Sequence, residues 1–217
     1  MRQKLLAEFI GTAFLLIGVV GSGIMARNLS GGNDGLALLA NAIATGAMLY
    51  VIITTLGPVS GAHFNPVVTL AFTFRGEHPR SQALPYIVVQ IAGGIIGVWL
   101  THLMFEQPIL QTSIHGRTGI GQWSSETFAT FGLLFVIFGG IKHRPDTVPT
   151  LVALYITGAY WFTSSTSFAN PAVTIARGFS DTFAGIHPSH VPMFILMQLI
   201  GLCIATLILP VLFKDLD

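Results

Sequence analysis

Charge is what this chain lacks most. Asp, Glu, Lys and Arg make up only 9% of its 217 residues, against roughly 25% in ordinary soluble domains. Their balance is +1 and no basic run occurs, which leaves nothing to grip a phosphate backbone and excludes nucleic acid as a partner. Cysteine is almost absent as well. The single Cys203 cannot form a disulfide within the chain, says nothing of compartment, and is expected to be a small packing residue in its apolar run. No residues have metal-ligand spacing, and no nucleophile, base and orienting group can be assembled, so no metal, cofactor or enzymatic activity is expected.

Apolar residues fill the chain instead. A hydrophobic content of 52% and a mean hydropathy of +0.73 mark a membrane protein. Six runs approach the about 20 residues that a helix needs to cross a hydrocarbon core: 5–25, 36–56, 84–105, 121–141, 148–168 and 191–213. The first, with Arg2 and Lys4 in front and "GSG" behind, has the outline of a signal peptide. Glu8 inside the run, and the odd number of spans that cleavage would leave, favour a true span. If both termini share a side, Arg2, Lys4, Arg75, Arg80, Lys142, Arg144 and Lys214 lie there, and Arg27, Arg117 and Arg177 lie opposite. That asymmetry follows the positive-inside bias and predicts a multi-pass protein of the cytoplasmic (inner) membrane, in contact with lipid and with both termini cytoplasmic.

The chain repeats itself. "AEFIGTAFLLIGVVG" from Ala7 is echoed by "SETFATFGLLFVIFGG" from Ser125, "FNPVVTLAF" from Phe64 by "ANPAVTIAR", and "VVQIAGG" from Val88 by "LMQLIGL". Glu8 pairs with Glu126, Asn65 with Asn170 and Gln90 with Gln198, always in the same order. The expected organisation is one channel domain over 1–217, made of halves at about 1–110 and 120–217. Three spans per half is an odd number, so the second half enters the membrane inverted.

Each Asn-Pro then acquires a physical meaning. Asn is a strong N-cap and Pro is favoured at the first helical position, where its missing N–H would be unpaired anyway. "PVVTLAFTFR" and "PAVTIARGFS" therefore predict two half-helices of ten residues, each about 15 Å long, or half of an about 30 Å core. Approaching from opposite faces, they can meet near the midplane. Irregular backbone at that depth is tolerated only in a protein-lined or watery cavity. The carbonyls of "SGAHF" and "STSFA" can then serve a passing solute, and the positive helix ends repel cations and protons.

"SGAHFNPVVT" and "NPAVT", with glutamates in the first and fourth spans, resemble the aquaporin or major intrinsic protein family from about Leu5 to Phe213. The resemblance implies an all-α membrane bundle of six transmembrane helices and two re-entrant half-helices, and a homotetramer with one pore per subunit. It implies that Asn65, Pro66, Val67, Asn170, Pro171 and Ala172 form the paired pore motifs, and that Glu8 and Glu126 brace the re-entrant loops rather than relay protons. His63, beside the first motif, is expected either to bond solutes and exclude protons on the cytoplasmic side or to brace its loop.

The sequence departs from the family pattern where selectivity is decided. Val67 replaces an Ala, and Val173 stands where most aquaporins carry the filter arginine. An ungapped count puts the other filter positions at Thr45, Gly158 and Ser167. Thr, Gly and Val in place of a bulky aromatic, a histidine and the arginine predict a wide, uncharged filter. Glycerol facilitators usually place an Asp after their arginine, where Thr174 stands here. "FTSSTSFANPAVTIAR" is more similar to a bacterial branch found near arsenic-resistance genes, which implies passage of neutral trihydroxylated or methylated arsenicals. The residues themselves point to small neutral polar solutes and water. An ordinary water-selective pore and a coupled secondary transporter are the alternatives, the latter short of ionisable groups to bind a driving ion. Arg177 lies one turn beyond Val173 and is expected to rim the outer vestibule, or to be solvated or paired with Asp181. His102 is expected at the interface.

Overall fold

The computed structural model describes residues 1–214; the last three residues of the second half lie outside them. Among the described residues every regular element is a helix. The first hydrophobic run forms α1 (Arg2–Leu16), one π-helical turn (Ile17–Gly21) and α2 (Ser22–Leu29). It is followed by α3 (Asp34–Ser60), the half-helix α4 (Pro66–Phe74), α5 (Arg80–Met104), α6 (Ile120–His143), α7 (Val148–Phe162), the half-helix α8 (Pro171–Arg177) and α9 (Val191–Leu212). Five of these stretches are long and apolar enough to cross a membrane: α1 with α2, α3, α5, α6, and α9 with its leading turn.

Two halves of like plan face each other. Helix α1 packs on α5 and α6 on α9, and α3 and α7 join the halves. Glycine permits the closest of these approaches: a Cβ at Gly93 or Gly97 would stand 2.3 or 2.4 Å from the carbonyl oxygens of Phe9 and Ala13, and one at Gly201 would stand 2.6 Å from that of Thr127. The α1–α5 and α6–α9 contacts therefore run backbone to backbone, as small residues allow in membrane bundles. Apolar side chains such as Leu207, Val211 and Ile120 are exposed on the outside, as lipid or a neighbouring subunit requires. Cys203 is exposed there too. This corrects the expectation of a packing residue, because its position on α9 points away from the α6 contact.

Several boundaries differ from the sequence expectations. The fifth span ends at Phe162 rather than at Phe168, since the chain leaves the helix at Thr163 and runs through a turn and irregular backbone into the second re-entrant loop. The half-helices have nine and seven residues rather than ten. The first stops short of Gly76, which takes a left-handed φ of 76°, and the second yields at Gly178, whose N–H turns back to Ile175.

Candidate solute pore

Both re-entrant loops hang on a buried glutamate. Glu8 of α1 accepts the N–H groups of His63 (3.0 Å) and Phe64 (2.7 Å), the Ser60 hydroxyl (2.6 Å) and the Gln90 amide (2.8 Å). Glu126 of α6 accepts the N–H groups of Phe168 and Ala169, each at 2.9 Å, and the Gln198 amide at 2.6 Å. Gln90 and Gln198 each also donate to a half-helix threonine, Thr69 at 3.0 Å and Thr174 at 2.9 Å. These bonds hold strained backbone. Ala62 and Phe64 in one loop, and Ser167 and Ala169 in the other, adopt left-handed φ between 47° and 51°. Such residues cost about 1–3 kcal/mol each and persist only where surroundings over-determine them.

The half-helices meet at their caps. The Asn65 carbonyl oxygen accepts from Val67 N–H at 2.9 Å, and that of Asn170 from Ala172 and Val173 at 2.9 and 3.3 Å. Across the junction, Asn65 Nδ2 donates to Ala169 O (2.8 Å) and Asn170 Nδ2 to Phe64 O (2.9 Å). Each amide has two N–H groups, so one remains for the cavity that both asparagines line. Pro66, Val67, Pro171 and Ala172 are buried behind them and form the first turns of the half-helices.

That cavity, of about 120 Å³, is lined by stripes from α1 with its π-helical turn, α3, α4, α6, α7 and α8: Leu15 and Val19, Thr45 to Ile53, Val68 and Phe72, Leu133 to Ile141, Val148 to Tyr160, and Val173 with Arg177. Within each stripe the spacing is i, i+4, the period of one helix face. Of the four positions counted from the motifs, Thr45, Ser167 and Val173 lie in the lining and Gly158 does not. It is exposed on α7, with only the Phe162 ring near. The reason is periodicity: Ile156 and Tyr160 face the cavity, and a residue midway between them turns away by about 200°. Tyr160 takes its place, its hydroxyl 3.2 Å from that of Thr45. The lining therefore contains a phenol and, toward the α8 end, a guanidinium.

The two ends of the cavity are built alike but charged differently. Toward the α4 end, the His63 ring stacks on Phe72 at 4.8 Å, and its Nδ1 lies 3.1 Å from the Thr69 hydroxyl. It thus both lines the cavity and braces its loop. His78 and Tyr86 pack edge-on nearby, and burial pushes the His78 imidazole below its ordinary value. Toward the α8 end, Arg177 is buried, lines the cavity, donates through Nε to Ala184 O and lies 3.4 Å from the centre of the Phe168 ring. It is neither solvated nor paired with Asp181, whose carboxylate instead accepts from Ile114 N–H at 2.9 Å. His102, expected at the interface, is fully buried between Ile109 O and the Ser180 hydroxyl, both at 2.9 Å. Spacing from the motifs did not single out Tyr160, Phe168 or Arg117. Counting by fours along α7 from Val148 finds the first.

Two half-helices abutting at their caps inside an apolar bundle, with a lined cavity beside the junction, define a membrane channel and not an enzyme. The profile of the major intrinsic protein family matches residues 1–163, and the chain belongs to that family. It is 52% identical over 201 residues to the aquaglyceroporin AqpS of Rhizobium meliloti (strain 1021), covering 93% of this chain and 86% of that protein. Nodulin-26 of Glycine max is 33% identical over 139 residues, 63% of this chain and half the length of that relative. Among solved structures, the aquaglyceroporin from Plasmodium falciparum superposes with a TM-score of 0.79 over 98% of both chains at 17% identity, a likeness of fold. The protein is an integral membrane channel that passes water or small solutes passively.

Proposed function

We propose that the chain is a passive channel for small neutral polyhydroxylated solutes: glycerol-like polyols, water, and trivalent or methylated arsenicals in their neutral hydroxylated forms. The amphipathic lining carries this reading. One wall offers the Asn65 and Asn170 amides, the Thr45 and Tyr160 hydroxyls and the Ser167 Oγ, which is buried without a partner. The remainder is mostly aliphatic and aromatic, with His63 toward the α4 end and Arg177 toward the α8 end. A solute with hydroxyls on one side and an apolar back is matched at both surfaces. Likeness to the aquaglyceroporin AqpS favours the same solute class. A water-selective pore is the second reading, favoured by Tyr160 and Arg177 in the lining. A coupled transporter is disfavoured because Glu8 and Glu126 spend their oxygens on the loops.

The working form is a homotetramer in the inner membrane, both termini cytoplasmic, with His63 toward the cytoplasm and Arg177 toward the outside. The seven-to-three distribution of basic residues supports the orientation. The test is stopped-flow light scattering on proteoliposomes with water, glycerol, urea and arsenous acid in one preparation. Glycerol and arsenous acid are expected to enter well above empty-liposome rates; water flux with both excluded contradicts the polyol reading.

A further inference from the structure

We propose that selectivity is set by a displaced constriction of Tyr160, Phe168 and Arg177, with Arg117 as its positioning residue, in place of the set Thr45, Gly158, Ser167 and Val173. The inference rests on the channel reading above and assigns its specificity. Arg117 comes from the loop before α6. Its guanidinium carbon lies 5.1 Å from the centre of the same Phe168 ring on which Arg177 stacks at 3.4 Å. Its nitrogens donate to Gly185 O at 2.7 Å and to Phe183 O and Ser165 O, each at 3.4 Å. Those carbonyls belong to the two segments that hold Arg177: the loop carrying Ala184 O, and the re-entrant loop carrying Phe168. Arg117 therefore fixes both the ring beneath Arg177 and the carbonyl beside it. Among the described residues neither arginine has a carboxylate within ion-pair distance.

The other end of the pore is its built-in comparison. His63, Phe72 and Ser60 occupy the places that Phe168, Arg177 and Ser165 hold, at the same offset that separates Asn65 from Asn170. There the strut on the Ser60 carbonyl is a hydroxyl, that of Tyr86 at 3.0 Å, and the stack is ring on ring. At the α8 end both strut and stacked group are guanidinium. The α8 end of the lining thus carries a buried guanidinium where the α4 end carries rings, and a buried charge acts strongly on a passing cation. Tyr160 lines the same cavity as Phe168 and Arg177 and projects a phenol into it, its hydroxyl 3.2 Å from that of Thr45.

The test uses full-length protein in proteoliposomes, with polyol entry by stopped flow and proton leak by an enclosed pH dye. Tyr160→Ala is expected to raise the erythritol-to-glycerol flux ratio about tenfold, the scale on which shape contacts discriminate, and Tyr160→Leu to raise it less. Arg177→Leu is expected to raise proton leak about tenfold, or about 1.4 kcal/mol of barrier. Arg117→Met moves the leak in the same direction, and Arg117→Lys, which keeps the charge but only one donor nitrogen for the three carbonyls, returns it part of the way toward wild type. Gly158→Leu changes neither. A ratio that responds to Gly158→Leu and not to either Tyr160 variant overturns the assignment, as does a leak unmoved by Arg177→Leu. Wild-type liposomes impermeable to both water and glycerol would overturn the channel reading instead.

Discussion

Val173 and Arg177 share one face of α8, one turn or about 5.4 Å apart. Val173→Arg therefore adds a second guanidinium to a lining that already holds one. The expected result is a flux of glycerol and arsenous acid that falls more than that of water in stopped flow; an equal fall in well-folded protein means that position 173 does not face the solute. The glutamates make a different prediction. Glu126→Gln replaces an acceptor of two loop N–H groups with an amide that cannot accept at both atoms, leaving a buried donor unpaired at about 1–3 kcal/mol. A lower melting temperature in detergent and reduced solute flux are expected, and an unchanged melt contradicts the bracing role. Residues of this kind are legible in sequence, because a carboxylate or amide inside an apolar run is costly unless paired and so announces a site. Arg117 is not legible, since its partners are backbone carbonyls, which leave no mark on the sequence.

Periodicity decides what can be read at the scale of the element. The Asn-Pro caps and long apolar runs locate the long helices and half-helices, yet the ungapped count from Asn170 back to Gly158 crosses the non-helical residues 163–169 before entering α7. Helical phase is lost there, and the count lands on the wrong face. The close α1–α5 contact is likewise implied only by glycines whose purpose appears when the carbonyls opposite them are seen. Gly97→Leu forces a side chain into the Ala13 carbonyl, where even a Cβ would stand at 2.4 Å. Because that oxygen belongs to the backbone, the helices must separate. The expected outcome is loss of monodisperse protein in detergent gel filtration, whereas Gly57→Leu, at a position with nothing within 4 Å, is tolerated.

For the whole molecule, two halves of one plan converge on a single junction: Asn65 bonds the loop of Asn170, and Asn170 bonds the loop of Asn65. Neither half can form the junction alone, and among the described residues no carboxylate faces the cavity to couple its transit to an ion. The account therefore depends most on passivity. In proteoliposomes, the initial rate of glycerol entry is measured against glycerol concentration, with and without an imposed proton or sodium gradient. A linear rate that ignores the gradient is the predicted result; a rate that saturates and follows the gradient would contradict the channel mechanism.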